Sequence, residues 1–174
     1  MVLPNLPTIL TLARIVLVPA MMILALPQVP SGRVWAGIVF IIACITDFLD
    51  GYIARKRKEV TIFGSVIDPV ADKLLVSAAL LSLMDLGMLA GWMVMLIIGR
   101  EFAVSGLRVV LASEDYVMPA SNWGKAKTVT QMLAIVALFF QWPYAAVLFW
   151  LSVVLTVISG LEYFIRARHI LFKK

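Results

Sequence analysis

Between Thr128 and Leu161 the chain carries no charged side chain. A water-soluble domain cannot afford such a stretch, because its surface needs charge along every element that reaches it. A bilayer needs the opposite, about 20 predominantly apolar residues for each helical crossing. The run is long enough to hold most of two crossings. The remaining composition agrees: 63% of residues are apolar and 14% charged, against about 45–50% and 25% in soluble domains. Mean hydropathy is +1.01. Low hydrophobicity, heptad repeats and multiple cysteines are all missing, which excludes disorder, a coiled coil and a disulfide scaffold. The chain reads as an all-α integral membrane protein. At 174 residues it fits a single transmembrane domain, 1–174.

The excess of five positive charges then concerns orientation and anionic lipid or phosphate, and not nucleic acid. Met1 to Pro7 lacks a basic n-region, and no small-residue cleavage pattern occurs near Pro27, so the segment is expected to be retained. Cys44, the one cysteine, is expected to be a buried small side chain.

Six transmembrane helices are expected, over about Pro7–Leu26, Arg33–Ala54, Gly64–Met84, Ala90–Leu111, Gly124–Gln141 and from beyond Trp142–Pro143 to Ala167. Arg55, Lys56, Arg57, Lys58, Arg108, Lys125, Lys127, Arg166, Arg168, Lys173 and Lys174 all fall on one side of such a bundle. Arg33 and Asp85 fall on the other. The positive-inside rule makes the crowded side cytoplasmic and places both termini there. Trp35, Trp92 and Trp142 are expected at the far interface and Trp123 at the near one, as an aromatic belt.

Four carboxylates contradict this apolar setting. Asp47 and Asp50 are three residues apart at the end of the second span; Asp68 and Asp72 are four apart at the start of the third. Each pair projects from one helix face, and the short connection brings the faces together at the cytoplasmic boundary. An ionised residue well inside a membrane costs roughly 2.5–3.5 kcal/mol on insertion scales, and like charges add repulsion. Salt bridges to Lys73 and Arg55 would neutralise part of this charge. Two divalent cations would neutralise all of it, and oxygen ligands without neighbouring His or Cys favour Mg²⁺ or Mn²⁺. Gly51, Ala54 and Gly64 let helices and a ligand approach closely. Arg55 adds a fixed cation suited to phosphate. Metals, arginine and a carboxylate base together point to phosphoryl transfer.

The series Asp47-x2-Asp50-Gly51-x2-Ala54-Arg55-x8-Gly64-x3-Asp68-x3-Asp72 resembles the complete signature of the CDP-alcohol phosphatidyltransferases, with eight fixed positions in 26 residues. The resemblance implies six transmembrane helices, two divalent metals, a CDP-linked lipid donor and a homodimer. It implies that Asp47, Asp50, Asp68 and Asp72 bind metal, that Asp72 is also the general base, and that Gly51, Ala54 and Arg55 line the cytidine diphosphate site, with Gly64 beside them. The opening Pro4-Asn5-Leu6-Pro7-Thr8 through Arg14 resembles the family's Pro-Asn…Thr…Arg pattern, which makes Asn5 and Thr8 candidate donor contacts as well as an N-cap and turn.

The acceptor alcohol falls to the second half. Gly99-Arg100-Glu101-Phe102 with Ser105, Leu107 and Arg108, and Gly124-Lys125-Ala126-Lys127-Thr128 with Gln131, resemble stretches of the phosphatidylglycerophosphate synthase branch of that family. This implies transfer from CDP-diacylglycerol to sn-glycerol 3-phosphate, with release of CMP, at a site facing the cytoplasm in a bacterial inner membrane. Arg100, Arg108 and Lys125 are the candidate phosphate contacts. Arg100 pairing with Glu162, and Lys125 and Lys127 snorkelling to the surface, are the plainer alternatives. Inositol phosphate or phosphatidylglycerol would serve the same chemistry as acceptor. A divalent-cation transporter would also need intramembrane carboxylates, but nearer the midplane.

Overall fold

Among the described residues the chain forms six α-helices and no strands: α1 (Leu6–Leu24), α2 (Gly32–Arg57), α3 (Ile62–Asp85), α4 (Gly91–Ser113), α5 (Asn122–Phe139) and α6 (Ala145–Leu171). The structure, a computed structural model, describes residues 6–57, 62–113, 116, 118–119 and 121–171, without the side chains of 6–8, 50–57, 62–66 and 169–171. Each helix lies within a few residues of its expected span, because the breakers are explicit. Pro27 and Pro30 follow α1. Gly32 opens α2 where a Cβ would stand 2.0 Å from the Leu24 carbonyl oxygen and 2.7 Å from Val29 Cβ, so no other residue fits. At the end of α3, Gly87 takes φ 72°. Met88 N–H donates to the Leu83 carbonyl and Gly87 N–H to that of Met84, both at 2.9 Å, forming a Schellman closure. The same pair of bonds closes α5, from Trp142 to Ala137 and from Gln141 to Leu138. There a non-glycine residue, Gln141 at φ 52°, occupies the left-handed position.

The helices group into two compact units, Met1–Leu89 and Ala90–Lys174. In the first, α1 packs against both α2 and α3; in the second, α6 packs against both α4 and α5. The first unit buries Met21, Ala36, Phe40, Ala43, Ala71, Leu75, Ala79 and Leu83, where the alanines allow close helix approach. In the second, the inner stripe of α6 runs Phe149, Ser152, Thr156, Ser159, Tyr163, Ala167, a helical repeat of three and four. Its hydroxyls do not stay open: Ser152, Thr156 and Ser159 each donate at 2.7 Å to a carbonyl three or four residues earlier.

The outward faces are apolar, with Val16, Phe48, Met95 and Val109 between 69% and 71% exposed. Trp35, Trp92, Trp123 and Trp142 all point outward and are about half exposed, as an aromatic belt requires. Cys44 is half-buried, less enclosed than expected, with a free thiol. Among the described residues, two segments are by themselves long and apolar enough to cross a membrane, Gly32–Leu49 and Ala145–Arg168; α1 contributes a shorter apolar run, Ile9–Leu24. Charged residues interrupt the rest: Asp68, Asp72 and Lys73 in α3, Arg100, Glu101 and Arg108 in α4, Lys125 and Lys127 in α5.

Candidate active site

The first unit is organised around a guanidinium. Arg14 lies in the middle of α1 with no exposure at all. Its Nη1 donates to Asp47 Oδ1 of α2 at 2.8 Å and to Asp72 Oδ1 of α3 at 3.0 Å. One turn earlier on the same face, the buried Thr11 hydroxyl donates to Asp68 Oδ1. Thus α1 presents Thr11 and Arg14 three residues apart, and three carboxylates from two other helices gather on them. The geometry is self-consistent in charge terms. A buried arginine without an anion would be severely penalised, and paired carboxylates without a cation equally so.

These contacts bring Asp47, Asp68 and Asp72 together as the sequence predicts. The cation that holds them is different. Lys73 donates to the Pro69 carbonyl of its own helix, one turn earlier, at 3.1 Å. Arg14 carries out the neutralisation considered for Lys73; that considered for Arg55 lies outside the described residues. The side chains of Thr8, Asp50, Gly51, Ala54, Arg55 and Gly64, and all of Asn5, lie outside the described residues.

Whether a divalent ion fits is decided by charge, donor type and access. Asp47 and Asp72 pair with one guanidinium and Asp68 with a neutral hydroxyl, so the acidic groups outnumber the cation among them three to one. The donors are hard oxygens, suited to Mg²⁺ or Mn²⁺. The Asp47 and Asp72 side chains remain 32% and 46% exposed although Arg14 behind them is sealed. The acidic rim is therefore open on one side and braced on the other. Among the described residues no three such groups are already gathered into a coordination shell. The donor set fits a hard divalent cation.

The second unit holds a separate polar cluster. Lys127, for which snorkelling to the surface was the plainer alternative, is instead buried and donates to Glu101 Oε1. Arg100 Nη1 reaches the same Glu101 oxygen at 3.2 Å, and its Nη2 donates to Ser159 Oγ of α6 at 3.0 Å. The Arg100–Glu162 pair considered from sequence is not formed. Glu162 binds Arg166 one turn along α6, and the flexible stems of adjacent Arg100 and Glu101 overcome their angular separation on the helix. Arg108, on the exposed side of α4, donates from Nη2 to the Tyr163 hydroxyl at 2.6 Å. Arg100 and Arg108 guanidinium carbons stand 5.6 and 5.1 Å from the Tyr163 ring centroid. Of the three cations assigned to an acceptor phosphate, Arg100 and Arg108 therefore meet at one aromatic ring. Lys125 is exposed at the start of α5.

Sequence reasoning assigned none of Thr11, Arg14, Glu101, Lys127 or Tyr163 to a site, although Arg14 closes the family-like pattern of the first helix and Lys127 counts among the cations of one membrane side. Arg14 was legible in principle, since a charge in the centre of an apolar helix must have a partner. Tyr163 was not, because an aromatic residue in an apolar helix has no distinguishing pattern.

Comparison with known proteins bears on both units. Residues 4–158 match the model of the CDP-alcohol phosphatidyltransferase family. The chain is 46% identical to the CDP-diacylglycerol–glycerol-3-phosphate 3-phosphatidyltransferase of Bacillus subtilis (strain 168), over 92% of this chain and 93% of the relative. Proteins of the same name in Rickettsia bellii (strain RML369-C) and Haemophilus influenzae are 38% and 37% identical, each over more than nine-tenths of both chains. The family match takes in the whole first unit and most of the second, and the likeness to these relatives runs nearly end to end. On that extent of similarity, the chain belongs to the CDP-alcohol phosphatidyltransferases.

Proposed function

We propose that this chain transfers the phosphatidyl group of CDP-diacylglycerol to sn-glycerol 3-phosphate, giving phosphatidylglycerophosphate and CMP. The observation that carries this reading is the near end-to-end match to relatives whose names state that activity. Family membership also removes the reason to read the carboxylates as a transporter's ion path.

In this reading the whole chain, 1–174, is one catalytic domain, with donor and metal residues in the first unit and acceptor residues in the second. A hydroxyl oxygen of the acceptor forms a bond to the phosphatidyl phosphorus, the bond from that phosphorus to the CMP oxygen breaks, and CMP departs with the electron pair. Asp72 takes the hydroxyl proton. Arg14 keeps Asp72 and Asp47 fixed through direct contacts. Divalent-metal dependence is general in the family; two ions, Mg²⁺ or Mn²⁺, held by Asp47, Asp50, Asp68 and Asp72, would supply positive charge to the diphosphate. Asn5, Thr8, Gly51, Ala54, Arg55 and Gly64 serve the cytidine diphosphate. Arg100, Arg108 and Lys125 serve the acceptor phosphate, with the arginines suited to bidentate contact.

Six helices cross a bacterial inner membrane, both termini and the site face the cytoplasm, and the enzyme works as a homodimer. Clustering of basic residues at one set of helix ends supports the orientation.

The test is an acceptor screen on the purified full chain with CDP-diacylglycerol and Mg²⁺ or Mn²⁺. Glycerol 3-phosphate should release CMP and yield phosphatidylglycerophosphate. Preference for inositol phosphate or phosphatidylglycerol would reassign the acceptor. CMP release with none of them would defeat the reading.

A further inference from the structure

We propose that Tyr163 is a positioning residue for acceptor recognition, fixing Arg108 in the orientation that receives the phosphate monoester; this rests on the acceptor reading above. Three helices meet at this side chain. Tyr163 belongs to the inner stripe of α6 and is 3% exposed. Its hydroxyl oxygen accepts from Arg108 Nη2 of α4 at 2.6 Å and from the backbone N–H of Ser121, the N-cap of α5, at 3.1 Å. Its own hydrogen has the Pro119 carbonyl at 3.5 Å. Both lone pairs and the proton are thus engaged, so the hydroxyl is not placed to act as an acid or base. It is placed to hold.

What it holds is otherwise loose. Arg108 lies on the exposed side of α4, and a long side chain there samples many rotamers unless something restrains it. The Tyr163 ring lies under the guanidinium, at 5.1 Å from centroid to carbon, while the hydroxyl fixes one nitrogen. A planar guanidinium anchored in this way keeps its remaining N–H groups in a set direction, which is what bidentate capture of a phosphate needs.

Two glycines lie against the same cluster. A Cβ on Gly124 would stand 3.3 Å from Ser121 Oγ and 3.5 Å, an ordinary contact distance, from Tyr163 Cε2, so the ring lies close against the first turn of α5. A Cβ on Gly160 would stand 3.3 Å from Arg100 Cγ, so glycine gives room to the Arg100 stem beside α6, where its Nη2 reaches Ser159. The clamp therefore ties Arg108 to the segment that opens the Gly124-Lys125-Ala126-Lys127 turn.

The experiment measures kcat and both substrate KM values for wild type, Tyr163→Phe, Arg108→Ala and the double variant. Phenylalanine keeps the ring and removes the oxygen. Tyr163→Phe should raise the KM for glycerol 3-phosphate about 3- to 10-fold, as loss of one neutral-acceptor hydrogen bond does, with kcat and donor KM unchanged. The double variant should match Arg108→Ala in acceptor KM, because the tyrosine acts only through the arginine. Loss of a merely structural contact would lower the active fraction and kcat and leave KM alone. Arg108→Lys supplies the comparison should the phenylalanine variant not fold: its ammonium keeps the charge but lacks the planar fork that the tyrosine orients, so it should raise acceptor KM with donor KM unchanged. Unchanged acceptor KM in Tyr163→Phe, or in Arg108→Lys an equal change for both substrates, overturns the proposal. So does additivity in the double variant. If Arg108→Ala itself leaves acceptor KM unchanged, the acceptor assignment falls instead, and with it this inference.

Discussion

Arg14 and Asp72 share a hydrogen-bonded contact and should respond to substitution in opposite ways. Asp72→Asn preserves shape and keeps an oxygen for the Arg14 Nη1 contact at 3.0 Å, so the fold should persist. An amide cannot take the acceptor's proton, and turnover should fall by about 10²- to 10⁴-fold. Steady-state assays alongside gel filtration check this, and near-normal turnover would remove Asp72 from the mechanism. Arg14→Met removes the brace instead of the base. Its side chain is completely buried and answers two carboxylates on two helices, and breaking such an arrangement typically costs about 3–5 kcal/mol. Thermal unfolding in detergent should show that loss. Because Asp47 and Asp72 would then lack their cation beside Asp68, millimolar Mg²⁺ should raise the variant's melting temperature more than the wild type's. An equal response in both would mean that the ion does not bind at these carboxylates.

At the scale of elements, α1 and α6, each packed against the other two helices of its unit, carry Thr11, Arg14 and Tyr163, while Glu101 and Lys127 lie on α4 and α5. Element boundaries were legible because Pro27, Pro30, Gly87 and Trp142–Pro143 interrupt the apolar runs. The Asp47–Asp72 spacing was legible because it combines helical periodicity with charge in the wrong solvent. Partner choice was not. Arg14 and Asp72 are 58 residues apart, and Arg108 and Tyr163 are 55 apart, so only packing decides that they meet. Lys127 illustrates the physical reason: its position at a helix entrance suggests snorkelling, but Glu101 on α4 offers a carboxylate inside and the lysine turns inward. Comparing two glutamates tests this. Glu101→Gln leaves buried Lys127 without its carboxylate and should destabilise by about 3 kcal/mol or more. Glu162→Gln disturbs a pair with half-exposed Arg166 one turn away and should cost about 0.5 kcal/mol or less. Equal shifts in melting temperature would show that the Glu101–Lys127 contact is not structurally important.

For the whole molecule, the sorting of charge is what relates fold to reaction. The described exterior is apolar along the helices, while Arg14 and Lys127 are sealed inside their own units. CDP-diacylglycerol is itself divided in this way, with acyl chains that belong in lipid and a diphosphate that belongs in water, and glycerol 3-phosphate arrives from water. A site for both must lie at a membrane surface, on the side where the soluble acceptor is made. In the proposed orientation that side is the cytoplasm, a reading supported by the basic residues Arg55, Lys56, Arg57, Lys58, Arg166 and Arg168 of the sequence. Single cysteines in a Cys44→Ala background make this measurable in intact cells with a membrane-impermeant thiol reagent. Asp85→Cys, at the last residue of α3, should be labelled from outside. Lys174→Cys, beyond α6, should be labelled only after the cells are opened. Labelling of Lys174→Cys in intact cells would invert the orientation and separate the site from its water-soluble substrate, and labelling of neither position from outside would mean that α3 does not cross.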